Sequence, residues 1–298
     1  MSLDVSIEAR FHPPPEDLRR YFTTFYVTTI RVPGGGVVRD ALQPEWANLR
    51  IFSGASPVSW FEGEEPLQGT KFTATGPSSR PCNFTLGTTR FWGIGFLPLG
   101  WDRFFHEPAD KHRNIMVDGY IHPTFAHFAP LANALFGPEP DEEAELDRII
   151  AFFRSLDRRA DADEARIQAI HAAMIDPRID SVCGMVERTG IGQRTIERLC
   201  QRAFGFSPKM LLRRQRFMRS LAQFMLDPSL KWIDAIDSNY HDQAQFVREF
   251  HEFMGMTPRE YAAQPHPVLE RFMHERARIH GAPVQTLDSP DGAGPAKV

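Results

Sequence analysis

Four polar side chains between Arg194 and Gln201 offer the clearest chemistry in the sequence. Arg194, Glu197, Arg198 and Gln201 stand at i, i+3, i+4 and i+7, and Ile196, Leu199, Cys200 and Ala203 repeat that spacing. The two sets fall on opposite faces of one helix, the second buried and the first facing outward. A guanidinium can bond a guanine edge through two N–H groups, and a carboxamide can do the same with adenine, so this face suits the major groove of a duplex. Such a helix needs a scaffold. Thr189-Gly190 ends a preceding helix, a short turn follows, and the outward helix is expected from about Gln193 to Ala203, a helix-turn-helix.

Charge points the same way. Between Arg188 and Arg219 lie nine basic residues and one acidic, Glu197, a net of +8 in a chain of formal charge −4. The rest therefore carries −12, the pattern of a basic binding surface on an acidic body. Phosphate contacts are expected from Arg202, Lys209, Arg213 and Arg214.

The next segment, SPKMLLRRQRFMRSLAQFMLD, has Ser207 and Pro208 as helix-start signals and Leu211, Met218, Leu221 and Met225 as an apolar stripe. About 19 residues of helix span about 28 Å, close to the ~34 Å between successive major grooves on one face, so the helix reads as a rigid spacer. Beyond it Asp242 can cap a helix with Phe246, Phe250 and Phe253 on one stripe, leaving Gln243, Ala244, Gln245 and Arg248 near its exposed N-terminal face. This makes a second helix-turn-helix. From Asp227 to Glu260 there are seven acidic residues against three basic, so the first unit and spacer should hold the duplex and the second should discriminate among sequences, provided some acidic groups face the DNA.

From about Arg178 to Tyr261 the chain resembles the DNA-binding domain of AraC-type (AraC/XylS) transcription regulators, in which a long helix joins two helix-turn-helix units. The runs TGIGQRTIERLCQRAFGFSPKMLLRRQRF and YHDQAQFVREFHEFMGMTPREY carry the resemblance, with the FG-x-SP and MG-x-TP corners that end each unit. The resemblance implies base-edge contacts from Arg194, Glu197 and Arg198 in the first unit, where Gln201 shares the face, and from Gln243, Gln245 and Arg248 in the second. Val186 stands where the family usually has Ala, Gly192 replaces the usual Ser cap, and Asn239 stands where Gly is common. The partners implied are double-stranded DNA, a small-molecule effector and a second copy in a homodimer, with RNA polymerase a further partner; no cofactor is expected.

Ahead of this region the composition changes. Up to about Gly119, short β-prone runs (YFTTFYVTTI, WANLRIFSG, PVSWF, KFTATG, NFTLG and TRFWGIGFLP) alternate with turn signals such as PGGG, arguing for an antiparallel sandwich or barrel. In the family's terms this is a cupin-like sensor. DEEAELDRIIAFFRSLDRR then has helical spacing, with Leu146, Ile149, Ile150, Phe153 and Leu156 on a stripe that must bury itself on the sensor or on another chain. The expected fold is α+β. It divides into a β-rich sensor over 1–120, a helical linker over 121–162, an all-α double helix-turn-helix domain over 163–264 and a partly disordered tail over 265–298.

Catalytic readings find less support. His12, His106, His112, His122 and His127 form no closely spaced His-x-His pair, which disfavours a metal cupin, and HEPADKH has Pro108 inside and Asp110 where a second zinc ligand would stand. There is no Gly-x-Ser-x-Gly elbow and no phosphate-binding Gly-Lys-Ser/Thr loop. Phe91, Trp92, Phe96, Trp101, Phe104 and Phe105 read as core, with an effector-pocket wall as the alternative. Cys82, Cys183 and Cys200 sit at unrelated spacings and read as reduced thiols. No apolar run approaches the roughly 20 residues of a membrane span, so the expected location is the cytoplasm. The chain therefore reads as a non-enzymatic regulator; the alternative is a DNA-binding protein whose front domain retains catalysis on a small molecule.

Overall fold

Alternating apolar residues build the front of the chain into two antiparallel sheets. The computed structural model describes residues 5–156, 162–227, 230 and 232–291. Among these are nine strands: β1 (Ser6–His12), β2 (Phe22–Arg31), β3 (Val38–Leu42), β4 (Asn48–Phe52), β5 (Val58–Phe61), β6 (Phe72–Thr75), β7 (Cys82–Leu86), β8 (Thr89–Phe96) and β9 (Met116–Asp118). Six pair in the order β1-β2-β8-β4-β6-β9, and three as β3-β7-β5. The expected β-prone runs contain β2 and β4 to β8. β1, β3 and β9 lay outside them, because each is short or broken by charge (SIEARFH, VRDAL, MVD).

The larger sheet is buried on both faces. Phe25, Val27, Leu49, Ile51, Trp92, Ile94 and Phe96 point to a helical layer, while Tyr26, Ile30, Phe52 and Phe91 meet Val38, Phe84 and Leu86 of the smaller sheet. Tyr26 lies so flat across β8 that a Cβ at Gly93 would sit 1.9 Å from its ring, and only glycine fits there.

The helical layer consists of α1 (Pro98–Phe104), α2 (Ala129–Ala134) and α3 (Glu142–Ser155). Asp141 caps α3 by accepting from Ala144 N at 3.0 Å, and acidic residues fill its first turn, where the helix dipole favours them. Buried Glu145 accepts from Trp92 Nε1 at 2.6 Å and from Arg90 at 2.9 Å, fixing α3 to β8. Ile149 and Phe153 complete the core, with Leu146, Ile150 and Leu156 packed against it. The stripe that could have met a second chain is therefore covered by its own sheet.

Helices make up the rest: α4 (Glu164–Ile175), α5 (Val182–Thr189), α6 (Gln193–Leu199), α7 (Pro208–Leu226), α8 (Trp232–Ala235), α9 (Gln243–Met254), α10 (Pro258–Ala262) and α11 (Pro267–His280). The start signals hold, since Ser207 accepts from Met210 N and Asp242 from Gln245 N. The outward helix ends earlier than expected: α6 stops at Leu199 and a π-helical turn, Cys200–Phe204, leads into the corner.

Two further cores organise these helices. The first joins Ile167, Met185, Ile196, Leu199, Cys200, Phe204 and Leu211 to Trp46 and Leu99 of the front region; the second gathers Phe217, Leu221, Phe246, Phe250 and Phe253 with Met273 of α11. The expected disorder of the tail does not hold as far as Asp291; residues 292–298 lie outside the described residues. Ala282, Val284, Thr286 and Asp288 are buried. Polar contacts hold this apolar-poor stretch: Gln285 donates to Glu45 at 2.8 Å, Gln215 to the Thr286 carbonyl, and Arg276 pairs with Asp288.

Candidate nucleic-acid interface

Helix α6 separates its two faces as its spacing requires. Ile196, Leu199, Cys200 and Ala203 are almost wholly buried, and Arg194, Glu197, Arg198 and Gln201 are exposed. Gly190, in the left-handed conformation at φ 69°, closes α5 and starts the turn. Gly192 offers no side-chain cap to α6, whose first turn bonds only to its carbonyl.

Carboxylates from upstream hold part of the basic face. Arg198 Nη2 meets Asp163 at 3.0 Å, and Arg202 meets Asp102 at 2.7 Å and Asp163 at 3.3 Å. Burial alone would raise the Asp163 carboxyl, but the bonds from Arg166 and Arg198 outweigh it and hold the group below its ordinary value. The corner after α6 sits close to the front region: a Cβ at Gly205 would lie 3.1 Å from Pro77 and 3.3 Å from the Ala109 carbonyl. The residues 109–112 of the HEPADKH run form a short turn packed on Cys200–Phe204.

In the second unit Gln243 and Arg248 are exposed on α9 opposite buried Phe246, Phe250 and Phe253. Gln245 is half-buried, its side-chain carbonyl accepting from His241 N at 3.2 Å.

The residues expected to meet phosphate divide. Lys209 is exposed, whereas Arg202 is held as described and Arg213 is paired with Glu249 at 2.9 Å and with Glu252. Arg214 corrects the expectation outright, being 0% exposed. Its guanidinium stacks 4.0 Å from the centre of the Trp46 ring and donates from Nη1 to the Ser78 carbonyl at 2.9 Å. Burial pulls it down from 12.5 to about 9. Position 214 falls on the face of α7 that packs against the front region, so an Arg counted with the binding surface is instead an interior group.

The expectation about acidic groups changes too. Arg216 bonds Glu249 at 2.7 Å, Arg219 bonds Asp237, and Tyr240 donates to Glu249 at 2.8 Å. Asp237, Glu249 and Glu252 are therefore paired with basic residues of the spacer helix.

Residues 185–264 match the family model described as a helix-turn-helix domain. The chain carries an AraC-type helix-turn-helix domain. A search among curated proteins finds no match. Among solved structures the chain is similar to ToxT from Vibrio cholerae O395 bound to (E)-4-(8-methylnaphthalen-1-yl)but-3-enoic acid, at 10% identity and a TM-score of 0.43 over 87% of this chain and 98% of that one. It is also similar to unsaturated fatty acid-bound ToxT from Vibrio cholerae strain SCE256 (9% identity, TM-score 0.42, 87% and 94%) and to the AraC-like transcriptional activator CuxR (12% identity, TM-score 0.27, 73% and 87%).

Within the AraC-type domain the unusual residues are accommodated. Val186 packs against the first core, and Asn239 donates to the Pro177 carbonyl at 2.8 Å, tying the second unit to the segment before α5. Sequence reasoning missed Trp46, Asp102 and Asp163, which reach the domain from distant segments that no local spacing could connect to it.

Elsewhere, the six aromatic residues from Phe91 to Phe105 are buried, and Phe91 also borders a cavity of about 30 Å³. Among the described residues no group of three or more His, Cys, Asp or Glu side chains is arranged to hold a metal, and no helix is long and apolar enough to cross a membrane. Burial pushes the Cys82 thiol up to about 12 and raises that of Cys200 as well, which suits inert packing.

Proposed function

We propose that this chain is a sequence-specific transcription regulator that reads DNA with α6 and α9, and that its β-rich front domain senses a small molecule and carries out no catalysis. One observation carries the reading: each helix-turn-helix unit turns Arg and Gln side chains outward from a helix whose other face is fully buried. Base edges are read by Arg194, Glu197, Arg198 and Gln201 in the first groove and by Gln243, Gln245 and Arg248 in the second. Arg202, Lys209 and Arg213 neutralise phosphates, Arg202 and Arg213 by exchanging their carboxylate partners for the duplex. The sensor occupies 1–120, the linker 121–162 and the DNA-binding domain 163–264, followed by a tail over 265–298; the protein works in the cytoplasm as a homodimer.

Fluorescence anisotropy with a selected duplex and a scrambled one tests the reading. Arg198→Ala is expected to cost about 1–3 kcal/mol on the selected duplex and little on the scrambled one. Equal losses on both would remove Arg198 from base readout.

A further inference from the structure

The larger sheet leaves a cleft of about 80 Å³ where α11 and the segment 283–285 cross it. Its apolar walls include Phe11, Leu269, Phe272 and Met273, and Phe272 stands edge-on to Phe11 and Tyr26 at 5.8 and 5.4 Å. Its polar floor is a buried network. Arg50 makes a two-pronged pair with Glu45 at 2.8 and 2.9 Å and donates to Tyr26 at 3.0 Å. Across the cleft Arg276 is paired with buried Asp288.

Two lining residues retain unused hydrogen-bonding capacity. Arg276 Nε and Nη1 and Gln43 Oε1 are buried without a partner among the described residues. An unmet buried polar group is unfavourable, so a molecule that completes these bonds is favoured. The fixed charges cancel pairwise, Arg50 with Glu45 and Arg276 with Asp288, so an anion entering the cleft would be an uncompensated charge.

We propose that this cleft binds a small uncharged molecule with a carboxamide-type head, whose carbonyl accepts from Arg276 and whose N–H donates to Gln43, with a compact apolar body against Leu269 and Met273. This names the site and chemical class for the sensing role proposed above and rests on that reading. The roof gives the site its route to the DNA-binding domain. Gln285 lines the cleft and donates to Glu45, and the carbonyl of the next residue, Thr286, is held by Gln215 of α7. Displacing Gln285 therefore pulls on the helix that joins the two reading units.

Calorimetric titration of the full chain with benzamide and, separately, benzoate at pH 7.5 tests the site. Benzamide is expected to bind in the millimolar range and benzoate at least tenfold more weakly. Gln43→Ala removes the acceptor, and Leu269→Trp fills the cleft while leaving the polar network in place; each is expected to weaken benzamide at least fivefold. Equal binding of the two probes, or benzamide binding that survives Leu269→Trp, overturns the assignment. Affinity for a random-sequence duplex, measured with and without benzamide, is expected to change at least threefold in the parent and not in Leu269→Trp. Benzamide binding without that change overturns the coupling through Gln285. Absence of duplex binding by the parent, whatever benzamide does, refutes the DNA-binding reading instead.

Discussion

Replacing Arg214 by Met should leave the protein as stable as before or make it more stable by up to about 2 kcal/mol, although the position is wholly buried. A fall from 12.5 to about 9 corresponds to about 5 kcal/mol disfavouring the charged side chain inside the protein. The Trp46 ring returns about 2 kcal/mol through its π face, and the bond to Ser78 about as much. The charge thus remains slightly unfavourable. Methionine keeps most of the packing against Trp46 and Phe206, at the expense of one carbonyl bond. Arg214→Ala instead opens a cavity and is expected to lose about 2–4 kcal/mol. Urea denaturation of the three proteins from pH 7 to 10.5 is the assay. The Trp46 and Ser78 contacts that return most of this cost also hold the proton on the guanidinium, so the gap between parent and Met variant should stay level across this range. A Met variant weaker by more than 2 kcal/mol at pH 7, or a gap that changes by more than about 1 kcal/mol across the range, would refute the reasoning.

Asp163→Asn frees Arg198 from its carboxylate and leaves Arg202 on Asp102 alone, and is expected to tighten binding to a random duplex severalfold at 0.1 M salt and steepen its salt dependence, both readable by anisotropy. Ile149→Glu forces a carboxylate into the core where Ile149 is 0% exposed; urea titration should find it destabilised by more than 3 kcal/mol, whereas a stable variant that changes only its assembly in light scattering would place this face between chains. His171 and His280 are buried and pulled down to about 3, by burial first and then by Arg214 and Arg276 respectively. Since both folded values lie below the unfolded 6.5, their contribution to stability is level above pH 6.5 and falls below it, by about 1 kcal/mol each at pH 5.5, and His171→Gln should flatten that loss in urea titrations.

Local periodicity made α6, α7 and α9 legible, because each binds its neighbours along one stripe, and Ser207 and Asp242 mark the starts of α7 and α9. The same logic located β2 and β8. Long-range partners were not legible. Nothing near Arg214 in sequence distinguishes it from Arg213, yet one lies beneath Trp46 and the other pairs with Glu249 and Glu252; a rotation of about 100° around one helix decides between interior and surface. The tail misled for a related reason. Its few apolar residues suggest too little to pack, but Gln285 and Asp288 anchor it through hydrogen bonds and an ion pair to partners that composition cannot reveal.

Selection from a pool of random duplexes by the full-length chain, followed by sequencing, tests the central claim most directly. The expected result is an enriched site with two blocks about one helical turn, roughly 10 base pairs, apart. Arg198→Ala should flatten one block, and Gln243→Ala combined with Arg248→Ala the other. A pool that gains no sequence preference, or a preference that neither variant alters, would contradict DNA reading by α6 and α9.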